Sequence, residues 1–177
     1  MGSTEANALA KPPFKKIDWL ERDISIERRP DGVLVLRSNV PLQPYARHVP
    51  SFLRKWGTEA SDRTWLAQRR GPDRAWRKVS YGEALRTVDA ITQGLLNMGA
   101  GPPRPVAILS GNSLEHALMT LAAQQAGAPA APVSPAYSLL SQDHAKLKYI
   151  FGLIRPGVVL VQDGVQFERA LKALDLT

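Results

Sequence analysis

From Ser80 onward the chain alternates short, uninterrupted apolar runs with segments of helical period, and this alternation constrains its fold more than any other feature. Val106 to Leu109, Ala128 to Val133 and Val158 to Val161 are four to six residues long and too apolar for half-exposed strands, so they suit a sheet covered on both faces. Between them the apolar positions recur at helical spacing. Leu114, Ala117, Leu118, Leu121 and Ala122 form one stripe, and Leu147, Ile150, Phe151 and Ile154 another. A last amphipathic helix over 165–174 carries Phe167, Leu171 and Leu174. Strands and helices in this order imply right-handed crossovers and a parallel sheet with flanking helices, an α/β architecture.

The punctuation agrees. Ser80 and Glu83 have capping-box spacing and start a helix whose apolar positions are Ala84, Val88, Ile91, Leu95 and Met98, with Gly99 closing it. Asn112 with Glu115 reads as a second cap-like pair, Gly127 ends the following helix, and Arg155-Pro156-Gly157 stops the next. Ser110 to Ser113 and Ser134 to Ser138 read as the loops between strand and helix.

Upstream, Thr64 to Arg70 and Ala75 to Val79 flank Gly71-Pro72-Asp73 as a hairpin. Ile24 and Ile26, then Val33 and Val35, flank Arg29-Pro30-Asp31-Gly32 as a smaller one. Pro41, Pro44 and Pro50 stiffen a linker to a short helix over 51–59, with Phe52, Leu53 and Trp56 on one side. The expected organisation is an arm over 1–23, a hairpin and linker over 24–50, and an incomplete α/β portion over 51–177.

Several function classes fall away. The chain has no cysteine, which removes disulfides, thiol catalysis and thiolate metal sites and fits a cytoplasmic location. His48, His116 and His144 are far apart in sequence and form no helical pair, so no metal site is expected. The net charge of +7 would suit an anionic partner, but its basic groups lack a stacking motif or recognition helix, and nucleic acid is not expected. Met1 to Pro13 lacks a signal-peptide apolar run, and Ala6 stands where a myristoylation signal needs Ser or Thr. The apolar region Ala117 to Val133 is broken by Gln124, Gln125, Gly127, Pro129 and Pro132, so neither membrane span nor anchor is expected.

Gly94 and Gly99 have Walker spacing, yet Ala100 and Gly101 replace the Lys and the Ser or Thr. Gly99 and Gly101, followed by Pro102, fail the dinucleotide fingerprint. Glu115-His116 and Asp143-His144 are adjacent pairs whose side chains diverge on a helix, so capping and surface roles are expected of them. Ser110 and Ser134 lack a nucleophile elbow. No catalytic residue is assigned. Ligands of open parallel sheets bind beyond the carboxyl ends of the strands, which leaves the two loops, as anion-facing backbone or merely as helix caps.

Val106-Ala-Ile-Leu-Ser-Gly-Asn-Ser-Leu-Glu-His-Ala-Leu118, with Ala126-Gly-Ala-Pro-Ala-Ala-Pro-Val-Ser-Pro-Ala-Tyr-Ser138, resembles the early core of the adenylate-forming (AMP-binding) superfamily. Ser134-Pro-Ala-Tyr-Ser-Leu-Leu-Ser-Gln-Asp143, Lys146-Leu147 and Pro156-Gly157 resemble the feruloyl-CoA synthetases more specifically. Arg28-Arg-Pro-Asp-Gly32, Leu36-Arg-Ser38 and Pro41-Leu42 extend that likeness.

The resemblance implies an ATP-dependent acid–CoA ligase using ATP, Mg and CoA. It would activate a hydroxycinnamate or related aromatic carboxylic acid as the acyl-adenylate before transfer to CoA. It also implies that this is the amino-terminal portion, because the family's phosphate loop, adenine segment, ribose-binding Asp and catalytic Lys lie further downstream. The chain alone is then expected to be inactive. By the same resemblance Ser134, Ala136, Tyr137 and Arg169 are the positions expected near CoA. Sheet edges and helix faces left uncovered would favour a homo-oligomer. The competing expectation is a complete short, non-catalytic CoA-binding or protein-interaction module.

Overall fold

The structure, a computed structural model, describes residues 15–19 and 22–176, so the arm expected over 1–23 lies largely outside the described residues. The chain divides into two compact units, Met1–Tyr45 and Ala46–Thr177.

The described part of the first unit is a hairpin of β1 (Ile24–Arg28) and β2 (Leu34–Ser38), in register from Ile24 opposite Ser38 to Arg28 opposite Leu34. Its turn is closed by Gly32, whose φ of 82° is accessible without cost only to glycine. Asn39 donates to the Asp23 carboxylate at 2.6 Å across the open end. The alternation of Ile24 and Ile26 suggests a covered face, yet both have at least half of their surface exposed.

The second unit opens with helix α1 (Pro50–Glu59), followed by the hairpin β3 (Thr64–Arg70) and β4 (Ala75–Ser80). Pro50 occupies the first turn of α1, where its missing N–H costs nothing. The expected stripe of Phe52, Leu53 and Trp56 is corrected: Pro50, Leu53 and Gly57 are buried, whereas Phe52 is half exposed. The reason is Gly57, which lets α1 lie directly on Leu85 of α2 (Tyr81–Asn97) and so rotates the contact face. Helix α2 starts where expected, with Ser80 Oγ accepting the Glu83 N–H at 3.2 Å. Met98, assigned to its apolar face, is exposed because it is the residue at which the helix ends.

The remainder is a three-stranded parallel sheet in the order β6-β5-β7, where β5 is Val106–Leu109, β6 is Ala130–Val133 and β7 is Val158–Val161. Every residue of the central strand is buried. Successive side chains point to opposite faces, so Val106 and Ile108 join one core and Ala107 and Leu109 the other. The first core contains α2 and α3 (Leu114–Gln125) with the β3–β4 hairpin. The second contains α5 (Ala145–Ile154) and α6 (Glu168–Ala173). Pro132, which cannot donate a ladder hydrogen bond, sits on the edge strand β6.

One expected loop is a helix. Residues Pro135–Leu139 form the single-turn α4, entered through a proline with φ already set for it. Among the described residues no helix is long and apolar enough to cross a membrane.

Candidate functional site at the carboxyl ends of the sheet

Strand β5 ends in Ser110, Gly111, Asn112 and Ser113 before α3 begins. The α3 N-cap is Ser113, not Asn112 as its pairing with Glu115 suggested: Ser113 Oγ accepts the His116 N–H at 3.0 Å. Glu115 is drawn elsewhere, to the guanidinium groups of Arg70 and Arg77 on the hairpin. Partial burial pushes the Glu115 carboxyl up, but its own backbone N–H together with Arg70 and Arg77 outweighs this and holds it below the usual carboxylate range. His116 turns the other way, and its Nδ1–H donates to the Gly111 carbonyl at 3.1 Å. The two neighbours diverge, as adjacent helix residues do.

Two glutamines from distant strands bracket this loop. Gln68 of β3 donates through Nε2 to the Asn112 carbonyl at 3.0 Å and accepts the Leu114 N–H through Oε1 at 3.3 Å. Gln162, immediately after β7, accepts the Gly111 N–H at 2.9 Å, and its Oε1 lies 3.0 Å from Ser110 Oγ. Its backbone N–H continues the ladder to the Leu109 carbonyl. Neither glutamine was singled out from the sequence. Gln162 had a usable signal, being the first polar residue after an apolar strand, whereas Gln68 lies inside a strand and had none.

On the β6 side of the same loop lies a cleft of about 350 Å³, walled by Ser110, Gly111, Asn112 and His116 on one side and by Pro132, Val133, Ser134 and Pro135 on the other. Of the positions expected near a ligand, Ser134 is exposed on this wall and makes no capping hydrogen bond. Ala136 is exposed on α4. Tyr137 is half buried against the second core, with the Lys146 ammonium 5.3 Å from its ring centroid. Arg169 lies exposed on α6 and is not among the residues of the cleft.

The Asp143 carboxylate accepts the Ala145 N–H and the Ser141 Oγ hydrogen just ahead of α5, and these bonds, with the nearby Lys148, lower its pKa. His144 is not a surface residue as expected. It is buried in a left-handed conformation, with Nε2 donating to the Ser138 carbonyl at 3.1 Å. Ser138 Oγ is buried without a hydrogen-bond partner. Among the described residues no three His, Asp or Glu side chains gather closely enough to hold a metal ion.

The family model described as "AMP-binding enzyme" matches residues 53–176, which is most of the second unit. The chain belongs to the AMP-binding enzyme family. Solved structures with the same fold include a fatty acyl-adenylate ligase from L. pneumophila in complex with acyl adenylate and pyrophosphate. It is 20% identical with a TM-score of 0.58, over 66% of this chain and 20% of that one. VinN, solved with L-aspartate, is 17% identical with a TM-score of 0.63, over 75% and 31%. The N-terminal subdomain of Klebsiella oxytoca NpsA, in complex with anthranilyl-AMSN, is 21% identical with a TM-score of 0.55, over 67% and 28%. No curated protein matches the chain. This AMP-binding chain thus spans only about a fifth to a third of the length of these relatives, and its sheet and hairpins have the fold of the amino-terminal domain of adenylate-forming enzymes.

Proposed function

We propose that the chain is the amino-terminal portion of an ATP-dependent acid–CoA ligase resembling the feruloyl-CoA synthetases. In this reading the complete enzyme condenses a hydroxycinnamate-type carboxylate with ATP, releasing pyrophosphate. The acyl group then passes from the adenylate to the CoA thiol, releasing AMP. The observation that carries the reading is the family match over 53–176, supported by a cleft at the carboxyl ends of the parallel strands, where this sheet topology takes its ligands. The aromatic substrate rests on the sequence resemblance around Ser134 to Asp143.

In this reading 24–50 serves as a hairpin and linker and the region from 51 onward as part of the adenylate-forming domain, in a cytoplasmic enzyme. Ser134, Ala136 and Tyr137 face CoA, and Arg169 offers its planar fork of donors to a phosphate. Transfer of the adenylyl group of ATP to a carboxylate, with pyrophosphate leaving, needs several donors and cations around the developing charge. By the family resemblance the phosphate loop, adenine segment, ribose-binding Asp and catalytic Lys lie further downstream, so in this reading ATP and Mg chemistry belongs to the remainder of the enzyme and the 177-residue chain is expected to be inactive.

The test is to extend the coding sequence past Thr177, purify the complete protein and measure AMP release and thioester formation with ATP, Mg, CoA and a panel of acids. Hydroxycinnamates are expected to react and the 177-residue chain to be silent. A complete protein that forms no thioester with any acid overturns the ligase reading. A native protein of about 19.4 kDa would replace it with a CoA-binding or protein-interaction module.

A further inference from the structure

The strand order β6-β5-β7 means that the chain leaves β5 to one side and returns to the other, so the sheet has a switch point between β5 and β7. Helix α3, which follows β5, lies in one core, and α6, which follows β7, lies in the other. Loops diverging to opposite faces normally leave an open crevice between them, and ligands of such sheets enter there. Here that crevice is bridged. Gln162 reaches across it from the end of β7 and accepts the Gly111 N–H at 2.9 Å.

The assignment of its atoms is unambiguous, because a backbone N–H can be met only by the carboxamide oxygen. Ser110 Oγ has three neighbours, the Gly111 carbonyl at 2.8 Å, Ser113 Oγ at 3.0 Å and Gln162 Oε1 at 3.0 Å, and so keeps partners without Gln162. Gly111 N–H has no such reserve. Gln68 holds the Asn112–Leu114 half of the loop, which leaves the Ser110–Gly111 half to Gln162.

We infer that Gln162 is a positioning residue for the ligase reaction. By bridging the β5/β7 crevice it holds Ser110 and Gly111 as the fixed wall of the cleft opposite Ser134, so that the ligand enters on the β5/β6 side. The inference rests on the proposed ligase activity and adds to it a residue that touches no reacting atom. The ligand in question is CoA, the occupant assigned to the Ser134 wall.

The experiment compares wild-type complete ligase with Gln162→Leu and Gln162→Glu. Glutamate keeps an acceptor for the Gly111 N–H, and its charge is tolerated beside the amino terminus of α3. Gln162→Leu is expected to raise KM for CoA about tenfold, the equivalent of one lost hydrogen bond, with KM for ATP and for the acid unchanged. Gln162→Glu is expected to restore KM to near the wild-type value. A Gln162→Leu enzyme with lowered melting temperature but unchanged KM for CoA would reduce Gln162 to a structural residue. A Gln162→Glu enzyme as impaired as the leucine variant would remove the acceptor from the argument. Both outcomes leave the ligase reading standing. An inactive wild-type enzyme would remove that reading, and the role of Gln162 with it.

Discussion

Replacing Gly57 with alanine is expected to destabilise the second unit, although alanine is the better helix former. A Cβ at Gly57 would lie 2.7 Å from Leu85 Cδ2 and 2.9 Å from Leu85 Cβ. The first contact can be relieved by a side-chain rotation, but Leu85 Cβ is fixed to the backbone of α2, so relief requires the two helices to move apart by roughly half an ångström or more. Overpacking of this kind costs about 2–3 kcal/mol, and the propensity gain returns about 1 kcal/mol, leaving a net loss of about 1–2 kcal/mol. For a chain of this length that lowers the melting temperature by about 3–6 °C.

The matched control is Gly94→Ala. Gly94 is also inside a helix, is exposed, and has nothing within 4 Å of an added Cβ. Only the propensity difference should remain, raising stability by up to about 1 kcal/mol, or about 2–4 °C. Thermal unfolding followed by far-ultraviolet circular dichroism measures both. If Gly57→Ala rises as Gly94→Ala does, the close approach of α1 to α2 is not what fixes Gly57.

Glu115→Gln should cost about 0.5–1 kcal/mol at neutral pH, a modest figure because the ion pairs with Arg70 and Arg77 are more than a third exposed and screened. The folded carboxyl titrates below its ordinary value of 4.5, so its stabilisation is complete above that pH and is lost as the pH falls through the folded value. Denaturant midpoints for the two proteins should therefore converge in acid and separate above pH 5; a constant difference across that range would exclude the ion pairs as the cause. Ser113→Ala removes the α3 cap and should cost about 1 kcal/mol, whereas Asn112→Ala, which leaves the Ser113 cap in place, should cost clearly less in the same melting assay. Equal losses would restore Asn112 as the cap.

Much of the fold was legible because its signals are local. Val106 to Leu109 can be buried on both faces only in the middle of a layered sheet, and the structure leaves none of the four residues exposed. Gly32, Gly99 and Gly127 take the positive φ expected of closing glycines. The helix capped by Ser80 begins where its spacing to Glu83 put it. The faces of short elements were less legible. Phe52, Leu53 and Trp56 satisfy a helical stripe, but which side of α1 is covered depends on the absence of a side chain at Gly57 and on where Leu85 lies. His144 sits beside the exposed Asp143 and looks like a surface residue, but a left-handed backbone turns it inward toward the Ser138 carbonyl.

The sequence by itself determined the alternation of strands and longer helices, the parallel sense of the sheet and the family, because periodicity, caps and short motifs are written along the chain; the single-turn α4 was too short to leave such a period. The sequence also pointed to the loops 110–113 and 134–138, but only the tertiary structure joined them into one cleft and added the two glutamines. Residues 68, 110–116, 132–135 and 162 meet only because three parallel strands end at one level and the next two strands are added on opposite sides of β5. Hydrogen bonds spanning 44 to 52 residues leave no periodic trace in a sequence, since a glutamine that holds a loop is indistinguishable there from one that faces water.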